Sequence, residues 1–154
     1  MTNNDILHLI RNTFDLNTST LIETFSLAGF VATQEQVTGW FTSEDDGSFI
    51  NLTDKELALF LNGFINLKRG KREGGEPKLE DHLNNNMVFQ KLRIALNLKA
   101  EEILDILHLA GLRLSKHELS AFFRKPKNKH YRECRDETLQ NFFTGYSMLI
   151  ATKG

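Results

Sequence analysis

The chain has 154 residues, with 19 Lys/Arg against 20 Asp/Glu and a formal net charge of −1. Its single cysteine, Cys134, rules out an internal disulfide and fits a reducing compartment. No apolar run approaches the roughly 20 residues that span a bilayer, and the opening Met1-Thr2-Asn3-Asn4-Asp5 lacks the basic and apolar regions of a secretory signal; a cytoplasmic protein is expected.

The first predicted element already announces a repeat. Ile6, Leu7, Ile10 and Phe14 mark one face of a helix, and the same spacing returns at Val88, Phe89, Leu92 and Leu96. With an offset of 82, residues 3–65 fall on 85–147 without a gap, and 12 of the 63 positions are identical. Asn3 or Asn4, and Asn85 or Asn86, are expected to cap this helix, since a short side-chain oxygen accepts an orphan helix N–H.

The second helix carries Leu21, Ile22 and Phe25, matched by Ile103, Leu104 and Leu107. It should stop at Gly29 and Gly111, residues suited to the left-handed position past a helix end. A third helix opens on a capping box in both copies, Thr33 to Gln36 and Ser115 to Glu118. Its face is Val37, Trp40 and Phe41, or Leu119, Phe122 and Phe123, a stripe read as core in preference to an apolar ligand site. The second and third helices match a helix-turn-helix poorly, because Thr33 and Ser115 lie four residues beyond the glycine.

A polar loop follows, Ser43 to Leu52 or Lys125 to Cys134, and then a fourth helix with Asp54 or Asp136 at the expected N-cap. That helix carries Leu57, Phe60, Leu61 and Phe64, or Leu139, Phe142, Phe143 and Tyr146. Gly63 and Gly145 lie inside it, where Gly costs about 1 kcal/mol relative to Ala, which argues for close approach of another helix. Twelve Phe spread over both copies give each a core of its own. The expected fold is all-α: two tandem four-helix repeats related by pseudo-symmetry and packed into a helical bundle. The repeats span 1–70 and 84–154, joined by a charged, glycine-containing linker over 71–83.

Charge divides the copies. Residues 1–70 carry four basic and nine acidic side chains, a balance of −5, whereas residues 84–154 carry twelve and seven, a balance of +5. The contrast peaks between Arg113 and Arg135, where Arg113, Lys116, Arg124, Lys125, Lys127, Lys129, Arg132 and Arg135 face only Glu118 and Glu133. The matched window, Val31 to Thr53, has four acids and no Lys or Arg.

Clustered cations suit an acidic protein partner or a phosphate backbone, and Tyr131 among them could stack on a base. Opposite signs on the two copies also suit self-association. His130 and Cys134, spaced i, i+4, with His117 as a third group, fall short of a zinc ligand set, and no metal or other cofactor is expected. No phosphate-cradling glycine loop, nucleophile elbow or metalloprotease helix is present. The expected role is non-enzymatic binding of a protein partner, with nucleic acid as the alternative.

Several segments together resemble the YehS-like family of bacterial proteins, which carries this unit in tandem. They are Asn3 to Leu7, Glu44 to Asp46, Thr53 to Gly63, Lys91 to Lys99, Leu114 to Pro126 and Lys129 to Cys134. The resemblance implies a tandem all-helical protein and brings no functional residues with it. In the family pattern a proline commonly follows the acidic pair, where this chain has Gly47.

Overall fold

The computed structural model describes residues 1–70 and 79–153. The chain divides into two compact units, Met1–Leu83 and Asn84–Gly154. Residues 71–78 of the expected linker lie outside the described residues.

The first unit holds α1 (Asn3–Phe14), α2 (Thr18–Ser26), α3 (Gln34–Phe41) and α4 (Asp54–Arg69). The second holds α5 (Asn85–Leu96), α6 (Ala100–Leu109), α7 (Lys116–Ala121) and α8 (Asp136–Lys153). Each helix of the second unit starts 82 residues after its counterpart, and no strand occurs among the described residues. The all-α tandem repeat is therefore the fold.

Each unit builds a separate aromatic centre. Leu7, Phe25, Trp40, Leu57, Phe60 and Phe64 are almost fully buried in the first, and Phe89, Ile103, Leu107, Leu139, Phe142 and Phe143 in the second. Burying each such side chain stabilises the fold by about 1.5–3 kcal/mol. The Phe25 ring lies 5.1 Å from Trp40 and 5.2 Å from Phe60, and Phe89 lies 5.0 Å from Phe142. Trp40 and Phe122 are thus core, as their spacing predicts. Phe41 and Phe123, one residue on, are half-buried and covered by guanidinium groups, Arg11 at 4.1 Å and Arg93 at 4.8 Å.

The turn after the second helix closes the same way twice. Phe30 N–H donates to Phe25 O and Gly29 N–H to Ser26 O, while Leu112 and Gly111 repeat the pattern on Leu107 and His108. These paired bonds need a left-handed residue, and Gly29 and Gly111 supply it with φ of 81° and 88°. Gly63 and Gly145 have a different reason. A Cβ on Gly63 would collide with the carbonyl oxygen of Thr24 in α2, and one on Gly145 with that of Ile106 in α6. The fourth helix lies against the backbone of the second in both units.

Two expected caps are corrected. The side chain of Thr2 caps α1 and that of Asn84 caps α5, one residue before the asparagine pairs. Thr53, not Asp54, caps α4, and Glu56 reaches back to the Thr53 N–H at 3.0 Å. Asp54 is the first helical residue and accepts from Asn3 Nδ2 at 2.7 Å and from the Leu83 N–H at 3.0 Å. Asp136 begins α8 and accepts from Asn85 Nδ2 at 2.7 Å. The asparagines that looked like caps point inward instead, and they hold the loop described next.

Candidate functional site

The loop between the third and fourth helices is tied down by one buried asparagine in each unit. Asn4 Nδ2 donates to Trp40 O and Ile50 O, both at 3.0 Å, and Asn4 Oδ1 accepts from Leu52 N–H at 2.9 Å. Asn86 repeats all three bonds on Phe122 O at 3.0 Å, Arg132 O at 2.7 Å and Cys134 N–H at 2.9 Å. Asparagine suits this position because one short amide supplies two donors and an acceptor. A backbone bond adds to the clamp, from Ile50 N–H to Gly39 O at 3.0 Å or from Arg132 N–H to Ala121 O at 3.1 Å.

The tip of the loop is also shared. Asp46 Oδ1 accepts from Ser48 N–H, and Asn128 Oδ1 accepts from His130 N–H, each at 2.8 Å. The bonds from Ser48 backbone and hydroxyl hold the Asp46 carboxyl below the usual carboxylate range. Aspartate in one copy and asparagine in the other perform the same turn. The backbone is constant while the charge differs.

On this frame the nine candidate residues separate. Lys125 and Lys127 stand exposed on the loop, and Arg113 is exposed before α7. Lys116 is exposed too, but its Nζ sits 2.8 Å from Glu101 Oε1, and that bond holds the Glu101 carboxyl below its ordinary range. Arg124 is half-buried, and its buried Nε has no hydrogen-bond partner. Lys129, Tyr131 and Arg132 share a cleft between α7 and the loop with His117, Glu118 and His130. Arg132 and Arg135 border a neighbouring hollow with Leu114, Phe122 and Glu133. The basic segment is therefore an exposed rim plus a lined cleft, not one flat patch.

The first unit has the corresponding groove, lined among others by Glu35, Gly39, Gly47, Ser48, Phe49 and Ile50. It measures about 580 Å³ with Gly47 and Ser48 in its wall, and the second cleft about 250 Å³ with Lys129 and His130 at the matched places. Tyr131 and Phe49 are half-buried alike, so this aromatic position belongs to the loop's packing. Burial also raises the Tyr131 phenol above its usual pKa and keeps it a neutral O–H.

The histidine and the cysteine of that spacing have different surroundings, His130 exposed and Cys134 buried. Cys134 is buried in the place that Leu52 takes in the first unit, and burial pushes its thiol up to about 12. Its Sγ lies 3.7 Å from Arg135 O, while His117 and His130 face each other with ring centroids 6.1 Å apart. No group of three His, Cys, Asp or Glu side chains able to hold a metal occurs among the described residues. His117 and His130 thus enter the site as partners in the cleft; the repeat register, pairing them with Glu35 and Ser48, was the signal that could have found them. No helix among the described residues is long and apolar enough to cross a membrane.

Comparison with known proteins agrees with the internal repeat. The chain is 42% identical over 147 residues to "Uncharacterized protein YehS" of Escherichia coli (strain K12), covering 94% of each chain. No solved structure matches. A family model described as "Protein of unknown function (DUF1456)" matches twice, over residues 3–70 and 85–150, one match for each four-helix unit, and the chain belongs to that family.

Proposed function

We propose that this is a non-enzymatic binding protein whose second repeat engages an acidic surface of a protein partner. The observation that carries the reading is the pair of loops. With the same clamp and turn, the first repeat exposes Glu44, Asp45 and Asp46 where the second exposes Lys125 and Lys127 around Pro126 and Asn128. The fold therefore does not require the lysines, and their clustering has a use outside it. Complementary patches of this kind steer and orient association more than they add affinity. A partner with a carboxylate-rich face suits the exposed rim, and the acidic first repeat of a second copy is one such face.

Nucleic acid is the second reading, favoured by the density of cations. Tyr131 weighs against it, because a half-buried ring offers little face to an unstacked base. The test is fluorescence anisotropy with a labelled polyglutamate peptide and with labelled single- and double-stranded oligonucleotides, each at two salt concentrations. Peptide binding that disappears in Lys125→Glu/Lys127→Glu supports the protein reading. Oligonucleotide binding that weakens steeply with salt and loses about 1–3 kcal/mol in Tyr131→Ala, the worth of one stacked base, would replace it with the second. Failure of every probe at low salt would overturn both.

A further inference from the structure

We propose that the cleft between α7 and the loop of the second repeat binds a phosphate monoester dianion, and that His117 and His130 take up protons as it binds. The proposal rests on the anion-binding reading above and narrows it to one ligand class in one place.

Four positions of the cleft carry the argument. His117, Lys129, His130 and Arg132 line it, and the matched positions of the first repeat are Glu35, Gly47, Ser48 and Ile50. Each cation or potential cation thus has an acidic or neutral counterpart on the same backbone, so the shared loop geometry does not depend on cations at these positions. The walls are held in place before any ligand arrives. Ser115 N–H donates to Glu118 Oε1 at 3.0 Å at the start of α7, and Asn86, Asn128 and the Arg132 N–H fix the loop. A site held this way loses little freedom on binding.

The charges match a dianion better than a single carboxylate. The groups around the two rings are Glu118 and Lys116 on α7, with Lys116 held by Glu101 of α6, and Lys129, Tyr131 and Arg132 on the loop. Glu118 stays ionised, its carboxyl held low first by the backbone and side chain of Ser115 and then by Arg132 and His117. Lys129 and Arg132 against Glu118 leave one net positive charge while the imidazoles are neutral, and three when both are protonated. Two imidazolium rings 6.1 Å apart repel one another, and a dianion beside both removes that penalty. Phosphate monoesters have a second pKa of about 6 and are therefore mostly dianionic at neutral pH. Three phosphate oxygens also match the donors of histidine, lysine and arginine.

The test follows the Hε1 resonances of all five histidines in the full-length protein while inorganic phosphate is added from pH 5 to 8 at constant ionic strength. The expected result is a saturable shift of His117 and His130 with a rise in both pKa values, while His8, His82 and His108 stay still. Calorimetry with inorganic phosphate, phosphoserine amide and a phosphoserine peptide should give heat that is absent in His117→Glu/His130→Ser, a variant carrying the first repeat's residues. Tighter binding of the peptide would make a phosphorylated side chain the source of the anion, and equal binding a free phosphate ester. No selective histidine shift with phosphate, or an equal shift of His117 and His130 with a glutamate peptide, would overturn the proposal. If polyglutamate binding is still lost in Lys125→Glu/Lys127→Glu, that failure is of the cleft alone and the rim reading stands.

Discussion

The loop after α3 and the loop after α7 share their asparagine clamp, their Asx turn and their backbone bond to the preceding helix, yet one exposes three acids and the other a row of lysines. Apart from the turn made by Asp46 or Asn128, the bonds that define the loop come from residues facing inward or from the backbone, so the remaining outward positions are free to differ. Two copies of one scaffold can therefore diverge in charge at little cost in stability. In the second repeat, the outward set is where we propose that binding occurs; in the first, the same positions serve as an internal control.

The comparison breaks first if the two cores are unequal. Phe60→Ala and Phe142→Ala remove matched, fully buried rings, and each should cost about 3–5 kcal/mol in denaturant unfolding. A loss confined to one would show that only one unit has a core of its own. Next come the clamps. Asn4→Ala and Asn86→Ala each strand one buried N–H and two carbonyls, and each should cost roughly 3 kcal/mol. Hydrogen exchange should then rise at Leu52 or Cys134, whichever loop has lost its anchor.

Gly63→Ala and Gly145→Ala force the fourth helix away from the second, and overpacking of this kind costs about 1–3 kcal/mol. Neutral alanines would contradict the close approach. The smallest effect lies at a position where the copies differ, His8 against Gln90. His8 meets the Phe41 ring edge-on at 4.7 Å, and its pKa is lowered first by burial and then by Arg11. The unfolded chain therefore binds the proton more readily, and His8 favours the folded state only above its unfolded value of 6.5. Stability should fall as pH drops below that value, and His8→Gln should reduce the fall in urea unfolding compared between pH 7.5 and 5.5.

Much of the fold was legible because its signals are local. The apolar faces, the capping boxes at Thr33 and Ser115, and the turn glycines all act within a few residues, and the repeat doubled each signal. Asn4 and Asn86 were visible as repeated residues but misread as caps, since their partners lie 36 to 48 residues away. The density of basic residues was equally plain, whereas its division was not. Whether a lysine stands on the rim or in the cleft depends on how the loop folds back on α7, and that return is set by the distant asparagine. His130 and Cys134 share an i, i+4 spacing, and spacing alone cannot tell that Cys134 points into the core while His130 is exposed.

The most direct test of the shared scaffold is to write the first repeat's loop into the second, replacing residues 125–133 with the sequence of residues 43–51, and to measure unfolding and polyglutamate binding together. The account predicts cooperative unfolding close to that of the parent with binding abolished, because the clamp and turn are kept while the cations go. A chimera that unfolds, or one that folds and still binds, would contradict it.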